Sequence, residues 1–208
     1  MYKTIIRLCV LIAASVVPSA HQAVCGQTAL ARDTAALIEG LGTYTRNISA
    51  KSRPAQQFFD QGLRLYYSYY FPESVASFQE ALRHDPENPM ILWGLALAIG
   101  PGPNSRYYGF PDDPDGESRK AITAARKLAA KATPVERAMI ESLYVRFDTD
   151  TYPDRATRDV KYIEATRSVL DRFPDDLEAG LMYADAIMTH SQWNYWRCDG
   201  TPLLHTTE

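Results

Sequence analysis

The spacing of bulky, small and helix-ending residues between positions 58 and 89 constrains the fold of this chain more than any other feature. Gly62 stands where two helix backbones can approach closely, and Phe78 can then fill the space between the helices. Ala81 must stay small because a further helix crosses it. Pro86 ends the second helix, since proline lacks an amide donor and disfavours helical geometry at the preceding residue. The stretch therefore predicts two packed helices joined by a turn, with an ordinary helical hairpin from a bundle as the alternative.

The same spacing recurs further along the chain. A step of 34 residues from Gly62 reaches Ala96. Around Ala96 the offsets of the first helix are occupied by three bulky residues, Leu92, Leu95 and Ile99. Later, Pro174 takes the helix-ending position and is followed by a bulky, small and bulky series, Tyr183, Ala184 and Ile187. Three openings in one register predict an array of helix pairs.

These stretches resemble the tetratricopeptide repeat, a helix-turn-helix unit of 34 residues. The resemblance covers about residues 55–202 and rests on FFDQGLRLYYSYYFPESVASFQEALRHDP, WGLALAIGPGPN, FPDDLEAGLMYADAIM and QWNYWRCDGTP. It implies an all-α fold, a right-handed superhelical array of antiparallel helix pairs (a tetratricopeptide-like α-solenoid). The chain looks similar to a group of exported bacterial repeat proteins, for which the resemblance implies no established reaction or ligand. It departs from the repeat at Gln61 and Ser74, which are polar where Leu and Ala are more frequent, and in an insertion at 100–117.

Residues 1–26 have the composition of a secretory signal peptide. Two basic residues precede a mostly apolar stretch, and small and polar residues follow it. Cleavage after Ala20 and cleavage after Gly26 both remain open. Lipidation at Cys25, which would attach the protein to a membrane, is a less favoured alternative. We therefore expect an exported protein, periplasmic or extracellular.

The remaining sequence divides into three segments. We expect a linker or short leading helix at 27–54, the repeat domain at 55–192, and a tail or the start of a further repeat at 193–208. Inside the domain, the insertion is followed by a helix whose apolar face carries Ala121, Ile122, Ala125 and Leu128. Thr133 and Pro134 are typical of the next helix start. Further helices are expected at about 135–147, 155–172 and 177–190.

Charge and motif content limit the kinds of function. The formal net charge of −3 gives no reason to expect a nucleic-acid partner. The sequence has no glycine-rich phosphate loop, nucleophile elbow or haem-attachment pair. His190, Cys198 and His205 lack a zinc-site spacing, and Asp113 and Asp115 match only part of a calcium loop. We expect no cofactor, no metal site, no enzymatic activity, and a free thiol at Cys198.

In a tetratricopeptide array the first helix of each pair lines the concave face, so its exposed stripe is the candidate binding surface. The candidate partner-binding residues are Phe59, Leu63, Tyr66, Met90, Trp93, Leu97, Leu181, Asp185 and Met188. Glu178 lies on the same stripe of the last helix. An aromatic and apolar stripe with a few acids suits an extended peptide or a neighbouring helix. The alternative is that these side chains only pack against the adjacent repeat.

Two further groups of aromatic residues have the same two interpretations. The first group comprises Tyr66, Tyr67, Tyr69 and Tyr70, which cannot all face one side of a helix. The second group, in the insertion, comprises Tyr107, Tyr108 and Phe110. Either group can stack on a peptide or a sugar, or can simply cover neighbouring helix ends.

Two functional hypotheses follow. The first is an exported, non-enzymatic scaffold that binds a protein or peptide partner through the concave face. The alternative is the N-terminal arm of a larger enzyme or sensor, since repeats often serve as accessory modules. In that case any activity within this chain would have to use Glu178, Asp185, His190 or Cys198.

The end of the sequence favours a piece of a longer repeat protein. Terminal repeats normally carry a polar capping helix, and too few residues follow the last expected helix for a second helix and a cap. We therefore expect an uncovered apolar face near Leu181 and Met188, and poor order in the last ten or so residues.

Overall fold

The computed structural model describes residues 35–102, 112–203 and 206–207. The expected signal peptide, Cys25, the insertion aromatics Tyr107, Tyr108 and Phe110, and His205 lie outside the described residues. The described residues contain seven α-helices, α1 (Arg53–Tyr67), α2 (Phe71–His84), α3 (Pro89–Ile99), α4 (Pro114–Lys127), α5 (Pro134–Phe147), α6 (Arg155–Arg172) and α7 (Leu177–Ser191). A short 3-10 helix, Ala129–Lys131, lies between α4 and α5.

Local sequence signals set where the helices begin. Each helix from α1 to α5 has proline at its first or second position, where the missing amide donor costs nothing. Side-chain N-caps are supplied by Ser52, Asn88, Asp113, Thr133, Asp154 and Asp176. Thr133 forms a full capping box with Glu136, which confirms the helix start expected there. The helices expected at 135–147, 155–172 and 177–190 are confirmed within one residue at each end.

Consecutive helices pack against each other, which is consistent with a helical solenoid. The first helix of one pair also contacts the first helix of the next, α1 with α3 and α3 with α5. The Phe78 side chain of α2 is fully buried and holds α1 and α3 together. A Cβ on Gly62 would lie 2.7 Å from the Phe78 ring, and a Cβ on Gly94 would lie still closer. The expected close approach at Gly62 is therefore confirmed.

One apolar cluster runs from Ile48 to Ile187 through all seven helices. Its largest fully buried apolar side chains are Phe59, Phe71, Phe78, Trp93, Phe147 and Tyr162. The face predicted for α4 is largely confirmed, because Ala121, Ile122 and Ala125 are buried. Leu128 is half-buried, since it lies at the C-cap where the helix has ended.

Residues 35–52, named here the leading segment, contain no helix. After α7 the chain turns through Gln192 and Trp193, both of which have positive φ. It then forms a single antiparallel bridge between Trp196 and Pro202. Among the described residues, no helix has the length and apolar character needed to cross a membrane.

Candidate functional site

The nine candidate partner-binding residues fall into two groups. Six of them are at most 2% exposed and contact the protein's own core, namely Phe59, Leu63, Tyr66, Met90, Trp93 and Leu97. The other three, Leu181, Asp185 and Met188, are half-buried on α7. The first group therefore packs against neighbouring helices, and only the second group is accessible at the described surface. The partner-binding role of the whole set stays a prediction.

The half-buried residues of α7 line a cleft together with the end of α1, the turn that follows it and the start of α2. The cleft has a volume of about 90 Å³. One wall, named here the tyrosine wall, consists of Tyr66, Tyr67, Tyr69 and Phe71. The other wall consists of Leu181, Ala184, Asp185 and Met188. Leu181 and Met188, expected to form an uncovered face, are thus partly covered by the tyrosine wall. Ala184 is exposed, so the cleft opens to solvent.

Asp185 is the one charged side chain that lines this cleft. The Tyr66 hydroxyl donates a hydrogen bond of 3.0 Å to its Oδ2 atom. No Lys, Arg or His nitrogen among the described residues lies within 4.0 Å of the carboxylate. Burial raises the pKa of Asp185, and the charge of Arg146 and the Tyr66 hydrogen bond offset only part of the effect. The cleft therefore contains an acid that lacks a close cation.

Glu178 lies about two turns earlier on α7 and is fully buried. It accepts a hydrogen bond of 2.6 Å from the Tyr44 hydroxyl and a second one from the Tyr67 hydroxyl. Burial raises the pKa of Glu178, although the two hydrogen bonds and the nearby charge of Arg46 oppose the shift. The hydrogen bonds tie α7 to the end of α1 and to the leading segment.

The leading segment lies along α1 and is held by polar side chains of that helix. Its main-chain groups form hydrogen bonds of 2.6 to 3.2 Å with the side chains of Gln56, Asp60, Gln61 and Arg64. Its Arg46 guanidinium donates two hydrogen bonds, of 2.9 and 3.1 Å, to Asp176 at the N-terminus of α7. The segment therefore connects α1 with the start of α7, and its Arg46 and Asp176 are 130 residues apart in sequence.

Arg146 and Tyr162 form a second buried polar group behind the cleft. The Arg146 guanidinium lies 5.5 Å from the Tyr162 ring centroid and 3.9 Å from the Asp159 carboxylate. It also donates a hydrogen bond to the carbonyl of Pro101. Burial raises the pKa of Tyr162, with nearby carboxylates adding to the effect, so its hydroxyl stays neutral. The positive charge of Arg146 also lowers the pKa of Asp185 and so offsets part of the effect of burial.

A larger recess lies between α5 and α6. It has a volume of about 390 Å³ and a mainly apolar lining that includes Ala138, Val145 and Val169. Arg137 and Arg172 also line it, and Arg137 donates a hydrogen bond of 2.8 Å to the carbonyl of Ala132. None of the sequence-predicted binding residues lies in it.

The residues considered for metal binding do not converge in the described structure. No group of three His, Cys, Asp or Glu side chains suited to an ion occurs among the described residues. Asp113 accepts a hydrogen bond from the amide of Gly116 as the N-cap of α4, and Asp115 pairs with Arg155 at 3.3 Å. Cys198 is exposed and is not in a disulfide.

Several polar residues near the cleft were not singled out from the sequence. Burial of Arg146 could have been predicted from the sequence, because it continues the apolar stripe of Met139 and Leu143 on α5. A charged residue on such a stripe is placed in the core. The roles of Tyr44 and Arg46 could not have been predicted, since the sequence of the leading segment lacks periodicity. Their partners lie more than 100 residues away.

No protein-family model, curated protein or solved structure matches this chain.

Proposed function

We propose that this protein is an exported, non-enzymatic scaffold of the tetratricopeptide type that binds a protein or peptide segment. In this proposal the helix pairs form a right-handed superhelical array of antiparallel helices, and the partner lies on its concave face. The pairwise packing of consecutive helices supports the array. The composition of residues 1–26 supports export.

The observation that carries the proposal is the cleft between the tyrosine wall and α7. It is the place where residues selected from the sequence as partner-binding, Leu181, Asp185 and Met188, are still accessible. An open cleft with apolar walls and one charged group suits a projecting side chain of a partner, because such a group fixes orientation while the walls supply apolar contact.

The proposal is tested by affinity capture from an extract of the native cell, with quantitative mass spectrometry of the captured proteins. The cleft variant is Leu181→Ala with Asp185→Asn. The matched control is Val160→Ala with Glu164→Gln, which removes an exposed apolar residue and an exposed acid at the same spacing on α6.

We expect at least one protein to be captured equally by the wild type and the control, and to fall by about tenfold or more with the cleft variant. Equal capture by all three proteins, with the variants folded, would show that the partner does not use the cleft. Thermal melts of the three proteins establish that each is folded.

A further inference from the structure

The aromatic rings of the cleft are arranged as walls and not as a stack. The Tyr66 ring lies at 78° to the Tyr67 ring and at 63° to the Phe71 ring, with centroids 5.2 and 5.5 Å apart. The Tyr69 ring lies at 75° to that of Phe71 with centroids 6.1 Å apart. Tyr67 and Tyr69 are half-buried, so parts of their rings reach the surface of the cleft, and an aromatic ring face attracts a cation because it carries partial negative charge.

The charge in the cleft has the sign that complements a cation. Asp185 is the single ionisable carboxylate of the lining, and it has one hydrogen bond and no ion pair among the described residues. Its partial burial strengthens electrostatic interactions, because water screens them less. Arg146 lies behind the cleft wall and directs its closest ion-pair contact, 3.9 Å, to Asp159.

The volume of the cleft limits the size of the group that enters. It measures about 90 Å³, which is smaller than the engineered cavity of roughly 150 Å³ that admits benzene. The cleft is therefore suited to the end of one small group and not to a large ring system.

We propose that this cleft binds an alkylammonium group, held by the faces of the tyrosine wall and by the Asp185 carboxylate. The group is carried either by a lysine side chain of a partner peptide or by a free small amine. Tyr195 of the tail lies close enough to Asp185 for the acid to affect its pKa, and its ring lies 6.4 Å from that of the exposed Trp193. These rings extend the aromatic surface beyond the cleft. The inference rests on the proposed function insofar as a partner supplies the ammonium.

The interaction depends on pH through Asp185. The groups that act on it or that it acts on are Tyr66 and Tyr67 from α1, Tyr69 from the turn, Arg146 from α5, Tyr162 from α6 and Tyr195 from the tail. The pKa values of these tyrosines are all raised, so their hydroxyls stay neutral, and Arg146 stays charged. Glu178 is the other acid on α7. Affinity for the ammonium therefore falls as pH is lowered through the raised pKa of Asp185.

The test uses the full chain and choline as the probe, with 3,3-dimethylbutan-1-ol as its neutral isostere. A second arm uses a short peptide with one central lysine and the same peptide with norleucine at that position. Binding is followed by backbone amide NMR shifts at Ala184 and Asp185 and by isothermal titration. The variants are Asp185→Asn, in which an amide replaces the acid, and Asp175→Asn as an exposed control.

We expect choline to bind about tenfold or more tightly than the alcohol, and Asp185→Asn to reduce choline affinity by a similar factor while Asp175→Asn does not. Binding of choline alone identifies a free amine as the source, and binding of the lysine peptide alone identifies a partner side chain. The proposal is overturned if neither charged probe shifts these amides, if the neutral isosteres bind equally, or if Asp185→Asn has no effect.

Failure here is distinguishable from failure of the scaffold proposal. If a captured protein is lost with the cleft variant but no ammonium probe binds, the scaffold stands and the ammonium chemistry falls. If choline binds but capture is unchanged, the cleft is a small-amine site and the scaffold proposal falls.

Discussion

At the scale of single residues, the contact between Phe78 and two glycines explains how three helices come together. Gly62 could be predicted from the sequence, because its spacing to Phe78 follows the repeat. Gly94 could not, because the 34-residue step points to Ala96, two positions further on. The Phe78 ring contacts both glycines. Its contact with Gly94 depends on how α3 packs on α2, and the sequence spacing does not specify that packing.

Replacing these glycines tests that contact. Gly94→Ala should lower the free energy of unfolding by about 1–3 kcal/mol, because the new methyl group would overlap the buried Phe78 ring. Gly180→Ala is the matched control, since no atom lies within 4 Å of its Cβ position on α7. That change should raise stability by about 0.5–1 kcal/mol through the higher helix propensity of alanine. Denaturant titration measures both, and equal effects would contradict the packing described.

At the scale of elements, the helices could be predicted much better than the leading segment. Caps such as Thr133 and the prolines at helix starts are local signals, so the bounds of α5 to α7 follow from the sequence. The leading segment is fixed by side chains of α1 and α7, and contacts of that kind leave no local pattern. For this reason a short helix was a reasonable alternative at 27–54, whereas residues 35–52 form none.

The link between the leading segment and α7 should contribute measurably to stability. Arg46→Gln removes two charge-assisted hydrogen bonds to Asp176 and should lower the free energy of unfolding by about 1.5–3 kcal/mol. Hydrogen exchange should accelerate first in α7. Lys161→Gln, which removes an exposed pair with Glu164, should leave the free energy of unfolding almost unchanged, because water and salt screen such a pair. If α7 exchange is the same in both variants, the segment does not hold this helix.

At the scale of the whole molecule, α7 lies beside the end of α1 and places two acids among tyrosines. The sequence predicted that Glu178, Leu181, Asp185 and Met188 share one stripe. It could not predict that tyrosines from α1 and from the leading segment would cover part of that stripe, because those contacts join residues more than 100 positions apart. Only part of the predicted binding surface is therefore accessible.

The two acids of α7, Glu178 and Asp185, should make stability depend on pH in an unusual direction. The pKa values of Glu178 and Asp185 are raised in the folded state, so the folded protein binds more protons than the unfolded chain. Their contribution to the free energy of unfolding is therefore fully present below their ordinary pKa values, near about pH 4. It is lost as pH rises through their raised pKa values in the folded protein.

A double variant, Glu178→Gln with Asp185→Asn, isolates this contribution. The Tm of the double variant minus that of the wild type should increase by several degrees as pH rises from about 4 to about 7. The reason is that the amides stay uncharged while the wild-type acids ionise. Thermal melts across this range measure the difference. A difference in Tm that does not change with pH would mean that both acids ionise as they do in water.

Site-specific photo-crosslinking in the native cell tests most directly whether a partner lies in the cleft. A photoreactive residue replaces Ala184, which is exposed at the cleft, or Val160, which is exposed on α6 outside it. We predict an adduct of defined mass from position 184, none from position 160, and loss of the adduct when Asp185→Asn is added. An adduct from position 160 alone, or none from either position, would contradict partner binding at the cleft.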